Sequence, residues 1–320
     1  MKRSSALAGL AGLVVAAALV AWSLQRAGGA RFLESLATVS PWILLPALLC
    51  EATVQAAKAA RWTGLLAPIQ RVSFASALRA VLVGGMATHV IPLRLDEVLR
   101  AKVLGDAEGI PPATVLGTVA VDRVIEILAL GTLLGLVAAT STLPPPLEAG
   151  LLVAWVAFVV GAAGLLGFVL AEERLSALLL RIPMLRRLQP LAREMASGLR
   201  SLPRGRSLAR VLGGIVAEWT ATVALYGFVL LGFGLTPPTS VPLTLAVGGA
   251  AAYGVPNVPG AIGTFEAAQS TLLAATLHLP PAECLAIAVL AHAVLTIPIT
   301  VAGASVALGI ALRHKAQSPT

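Results

Sequence analysis

Uncharged or nearly uncharged apolar stretches of about twenty residues and more recur along the whole chain, and they limit the fold before any motif is read. One of them, "PATVLGTVAVDRVIEILALGTLLGLVAAT" at 112–140, is long enough as a helix to cross about 30 Å of hydrocarbon. In hydrocarbon the backbone has no water to bond, so such runs must satisfy their N–H and C=O groups internally, as helices do. Composition agrees: 58% hydrophobic residues, 12% charged residues and a mean hydropathy of +0.90 over 320 residues exclude a soluble domain. The expected class is all-α, a polytopic membrane protein in which 1–320 form one integral membrane domain. The longest polar segment, 172–210, is far short of the roughly 100 residues of a typical catalytic domain.

Charge orients the spans. Nine arginines lie in the segment 172–210, which is therefore expected to be a cytoplasmic Arg-rich loop. Lys2 and Arg3 precede the first apolar run, 4–25, and Arg313 and Lys315 follow the last, so both termini are expected inside. The run 4–25 is longer than the apolar region of a cleaved signal peptide and reads as an uncleaved span. Counting outward gives six full spans, at 4–25, 41–60, 112–140, 149–171, 208–234 and 284–312, with "STLPPPLE" and "TPPTS" outside. Cys50 and Cys284 show no metal or redox spacing and read as inert thiols.

Two segments do not fit as full spans. Residues 75–91 start and finish on the cytoplasmic side, and "VGGMATHVIP" is too short and Gly-rich for a complete hairpin, so a re-entrant dip completed by a helix over 95–104 is expected. Residues 243–277 start and finish outside, and "VPNVPGAIG" divides them into two pieces too short to cross. Two broken hairpins in inverted orientation, at corresponding places in two halves, are the sequence sign of a transporter with a midplane site. Pro259, Gly260 and Gly263 open the second half-helix, whose N–H groups and positive dipole end suit an anion.

Ionisable residues at membrane depth are costly and need partners. In "VDRVIEIL", Asp122 and Glu126 share a helical face with Arg123 close by, and in "PLRLDEVLRAK", Arg94, Glu97 and Arg100 recur every three residues. These two pieces are expected to form one buried ion network, and Glu51, Lys58, Arg61, Asp96, Glu218, Glu266 and His292 complete the set of ionisable groups at or near membrane depth. The plain alternatives are register-fixing pairs for Asp122, Arg123 and Glu126, snorkelling at span ends for Lys58 and Arg79, and a simple interhelical hydrogen bond for His292.

"RW" at Arg61 and Trp62, "HVIPLRLDEVLRAKVL" at 89–104, "VDRVIEIL" at 121–128 and "VPGAIGTFEAA" at 258–268 resemble, in order and spacing, the motifs of the lysylphosphatidylglycerol synthase transmembrane family, the flippase-like membrane domain. The resemblance runs from about residue 40 to the carboxyl terminus. The chain departs from the family pattern at His89, usually Asn; Asp96, usually Gly; Ala261, where a second Gly is common; and His292, near a common Arg. In bifunctional relatives a soluble aminoacyltransferase domain follows. The chain ends at Thr320, so lipid synthesis is not expected.

The resemblance implies a lipid translocase of the bacterial inner membrane, moving an anionic phospholipid, an aminoacyl-phospholipid or a prenyl-phosphate-type lipid. Arg61, Arg94, Arg100 and Arg123 would contact phosphate, while Glu97, Asp122, Glu126, Glu218 and Glu266 would hold those arginines or a cationic headgroup. The expected partners are membrane lipids with phosphate headgroups. A homo-oligomer is compatible with this, and no nucleic acid, cofactor, metal or catalytic residue is expected. Two alternatives remain at this point: an intramembrane lipid-modifying enzyme, for which no H-E-x-x-H, G-x-S-x-G or D-x-x-D motif is found, and a non-transporting accessory subunit.

Overall fold

The computed structural model describes residues 28–90, 96–141, 203–253 and 259–317, with isolated positions at 21, 25 and between 144 and 163. The expected spans 4–25 and 149–171, the greater part of the 172–210 loop, and Arg94 lie outside the described residues or only partly within them.

The described residues are helical throughout, without strands. A short helix α1 (Gly29–Ala37) and a 3-10 turn (Pro41–Ile43) lead into α2 (Leu44–Leu66). Then come α3 (Phe74–Val90), α4 (Asp96–Glu108) and α5 (Pro112–Thr140). The second half contains α6 (Arg206–Gly232), α7 (Ser240–Ala252), a 3-10 turn (Pro259–Ala261), α8 (Thr264–Leu277) and α9 (Pro281–Gln317).

Four stretches are long and apolar enough to cross a membrane: Pro41–Leu66, Pro112–Thr140, Arg206–Gly232 and Pro281–Arg313. The protein is thus a multi-pass membrane protein. α7 and α8, with 13 and 14 residues, rise about 20 Å each and fall short of a crossing, as expected from the Pro/Gly interruption. The polar loop gives way to helix two residues earlier than the apolar pattern suggests, so Arg206 and Arg210 begin α6.

Both halves have the same plan of long helix, short helix, short helix, long helix. α2 packs against α6, and each long helix supports its own hairpin, α3–α4 or α7–α8. The pair α2–α6 is antiparallel, because Ser40 N–H bonds the Gly232 carbonyl at one end while Gly64 meets Ser207 and Val211 at the other. The two hairpins therefore enter from opposite faces, which is the inversion read from the sequence. Glycine lets α2 approach α6 and α3 approach α9 closely. A β-carbon on Gly214 would lie 2.7 Å from Arg61 Cβ, and one on Gly303 of α9 would lie 2.2 Å from the Leu82 carbonyl oxygen of α3.

Each half has its own apolar core. Trp62, Leu65, Leu66, Ala80, Leu104 and Val115 fill the first, and Leu225, Leu230, Leu245, Phe265, Leu273 and Ile287 fill the second. In the second half Gln269 of α8 donates to the Leu245 carbonyl of α7 at 2.8 Å and to Tyr226 of α6 at 3.2 Å, which fixes the hairpin against its long helix.

Candidate functional site

The ion network forms where the first hairpin meets α2, α5 and α6. Arg61, fully buried on α2, donates from Nε to Asp122 at 2.7 Å and from a terminal nitrogen to Glu126 at 2.5 Å, both on α5. Its other terminal nitrogen bonds Glu218 on α6. Spacing of four residues explains why one guanidinium reaches both α5 carboxylates: Asp122 and Glu126 stand one turn apart on one face. Arg100 of α4 shares Asp122 at 2.6 Å and lies 4.1 Å above the Trp62 ring, whose indole N–H donates to Thr118. Arg123 of α5 reaches back to α4, with Glu97 at 2.6 Å and Asp96 at 3.7 Å, and bonds Glu126 at 2.5 Å. Lys58 lies 3.6 Å from Glu218.

So four cations face five carboxylates, and every arginine named above is already held. The network foreseen between the two motifs exists for Glu97, Arg100, Asp122, Arg123 and Glu126, and Arg61 and Glu218 join it from α2 and α6. Asp122, Arg123 and Glu126 are not merely a pair within α5, since they bind α2 and α4. Lys58, expected to snorkel, instead makes an ion pair.

The second centre lies where the ends of the two hairpins meet. His89, next to last in α3, has its ring 5.9 Å from that of Tyr253, which caps α7, and its carbonyl faces Gly260. Gly260 (φ 62), Ala261 (φ 55) and Gly263 (φ 83) hold the chain in the left-handed region, so α8 begins inside the protein. Glu266, in the first turn of α8, accepts from Gly263 N–H at 2.6 Å. Its other oxygen lies 2.6 Å from Nδ1 of His292 on α9, and His292 Nε2 lies 2.8 Å from the Gly260 carbonyl. The His292 ring is stacked on Phe265 with centroids 4.4 Å apart. Glu266 therefore sits where the sequence placed it, but its partner is His292 rather than an arginine.

Beside this turn is a cavity of about 370 Å³ whose lining mixes His89, Gly260, Glu266, His292, Thr296 and Thr300 with the apolar Val90, Ile262, Val289, Ala293, Ile297 and Val301. Val90, Ile262, Ile297 and Val301 are each about half exposed or more, so the apolar wall continues onto the outer surface of the helix bundle. Pro298 of α9 is next to the cavity; having no N–H, it leaves the Val294 carbonyl without its helical partner.

Several participants escaped the sequence reading as site residues. Trp62 and Thr118 support Arg100, Tyr253 and Phe265 frame His292, and Thr296 and Thr300 line the cavity. The spacing of Thr296 and Thr300, four residues after and eight after His292 on one helix, is the signal that marks a common face. Glu51 accepts from Gln55 at 2.6 Å but keeps a buried oxygen without a hydrogen bond, as do Gln55 and Asp96. Among the described residues no group of three or more His, Cys, Asp or Glu is placed to hold a metal ion.

Compared with known proteins, residues 9–303 match the family profile described as "Lysylphosphatidylglycerol synthase TM region". No curated protein and no solved structure matches the chain.

Proposed function

The chain belongs to the lysylphosphatidylglycerol synthase transmembrane family, and from that premise we propose that it moves the headgroup of a phosphate-bearing amphiphile across the membrane while the tail stays in the bilayer. The cavity between the hairpin ends carries this reading. It is lined both by polar His89, Glu266, His292, Thr296 and Thr300 and by the exposed apolar residues Val90, Ile262, Ile297 and Val301, a mixed lining that suits an amphiphile with a polar head and an apolar tail.

The inverted halves support the same reading, because two short-helix hairpins meeting in the interior give a polar path with an opposite entrance for each face. The arginines take a different part from simple open phosphate sites. Arg61 and Arg100 are buried and engaged: Arg61 holds α2 to α5 and α6, and Arg100 holds the first hairpin to α5. Arg123, with its side chain 35% exposed, is the network cation a phosphate reaches first, by displacing Glu97. The substrate class is an anionic phospholipid, an aminoacyl-phospholipid or a prenyl phosphate, and the setting is the bacterial inner membrane with both termini cytoplasmic.

The test uses the purified protein in liposomes with fluorescent lipids in one leaflet. Movement of label to the other leaflet, lost on Thr296→Leu, is the expected result. Covalent change of the lipid would assign an enzyme instead, and neither movement nor change would leave an accessory subunit.

A further inference from the structure

We infer that Glu266 and His292 form a proton-binding latch that holds the second hairpin to α9 while the proton is present and frees it when the proton leaves. The geometry requires the proton. His292 Nε2 faces a carbonyl, which only accepts, so that nitrogen must donate. His292 Nδ1 faces a Glu266 oxygen at 2.6 Å, and one hydrogen has to lie between them, whether formally on the imidazole or on the carboxyl group. Glu266's second oxygen is occupied by Gly263 N–H. With the shared hydrogen present, one side-chain pair ties the Gly260 carbonyl, the Gly263 amide and the start of α8 to α9. When it leaves, the neutral imidazole keeps a single hydrogen for two acceptors, so either Nδ1 faces the Glu266 carboxylate or Nε2 faces the Gly260 carbonyl without one, and one of the two ties is lost in a buried corner.

The inverted halves give a second, independent observation. Arg123 is the twelfth residue of α5, and His292 is the twelfth of α9. Glu97 lies on α4, the second short helix of its half, and Glu266 on α8, the second short helix of the other. The Glu97–Arg123 pair at 2.6 Å and the Glu266–His292 pair at 2.6 Å thus occupy matching places in the two halves. A guanidinium does not give up its proton, whereas an imidazole can. One half is latched permanently and the other is latched by a proton.

Other groups around His292 are few. Glu266 faces it from α8, Tyr253 from the end of α7 at 6.0 Å, and His89 from α3, where His89 also lies in the field of Lys58 of α2 and Asp96 of α4. Glu218 of α6 is engaged by Arg61 and Lys58, and Arg31 and Glu34 of α1 are exposed. Use of the latch to admit or release a headgroup rests on the lipid-moving reading above; the latch itself does not.

The experiment is hydrogen–deuterium exchange of the full-length protein in detergent micelles from pH 5.5 to 8.5, corrected for intrinsic exchange and read at residues 259–267 against α2. Protection of that segment should fall as pH rises, with a limiting slope of about tenfold per pH unit for one linked proton. Glu266→Gln should abolish the slope yet keep protection, because a carboxamide donates to a neutral Nδ1 while its oxygen still accepts from Gly263. His292→Arg should flatten the slope in the same way, and His89→Gln should leave it in place. A flat wild-type profile overturns the latch, as does a slope that survives in Glu266→Gln or disappears in His89→Gln. If His292→Arg fails to fold, Glu266→Gln decides alone. Intact pH-dependent exchange in a protein that moves no lipid in liposomes supports the latch and counts only against the lipid reading.

Discussion

Replacing Arg61 by Met tests whether the buried network holds the two halves together. The change keeps an unbranched side chain of similar length in a fully buried position and removes only the guanidinium. Three carboxylates lose a partner, but unequally. Asp122 keeps Arg100 at 2.6 Å and Glu126 keeps Arg123 at 2.5 Å, while Glu218 is left with Lys58 at 3.6 Å. The loss is therefore nearer to one broken buried pair than to three, which costs about 3–5 kcal/mol. Arg61→Lys should fall between wild type and Met, since one ammonium cannot span three carboxylates set around a planar fork. Adding Glu218→Gln to Arg61→Met removes the most stranded charge and should recover part of the loss, with a coupling energy of about 0.5–3 kcal/mol. The assay is reversible unfolding in mixed micelles, followed by tryptophan fluorescence, for the four proteins of the cycle. Arg61→Met within about 0.5 kcal/mol of wild type would refute the network's structural role.

Three further outcomes follow from packing, backbone and topology. Gly303→Ala places a β-carbon 2.2 Å from the Leu82 carbonyl oxygen, so α3 and α9 must separate, with a loss of about 1–3 kcal/mol in the same unfolding assay; unchanged stability would contradict the close approach. Ala261→Gly relieves a non-glycine residue at φ 55 and should stabilise the protein by about 1 kcal/mol, read as a higher thermal midpoint in detergent. Cysteines placed in "STLPPPLE" should react with impermeant thiol reagents added outside cells, whereas cysteines between Arg186 and Arg206 should not; the reverse pattern would invert the orientation.

The features legible in the sequence were those set by hydrophobicity and local spacing. Length and apolarity placed the four long helices, and "VPNVPGAIG" divided the second hairpin because proline and left-handed glycine cannot continue a helix. Turn spacing put Asp122 and Glu126 on one face, and their joint hold on Arg61 follows from it. Partner identity was less legible, because it depends on how helices far apart in sequence are turned toward each other. Glu266 was expected to find an arginine, and it found His292, 26 residues on. Lys58 stands at a point in α2 where length alone suits snorkelling, but the packing of α6 brings Glu218 beside it. The left-handed backbone at Ala261 is a conformation that alanine does not announce.

On the proposed lipid-moving function, the balance of charge bears on how a phosphate headgroup would be handled. Four cations and five carboxylates in one buried network leave no surplus positive charge, so a phosphate entering there gains attraction only by taking an arginine from a carboxylate. Arg123 allows that exchange with least loss. It is the most exposed arginine of the network, and removing Glu97 from it leaves Glu126 and Asp96 still close. Arg61 allows it least, because its three bonds join two helices to α2 and its displacement would open the seam between the halves. The network thus has a fixed end at Arg61 and an exchangeable end at Arg123. The Glu266–His292 pair lies at the corresponding place in the other half, so both matching sites are ones where a carboxylate can be parted from its partner without breaking the α2–α6 seam.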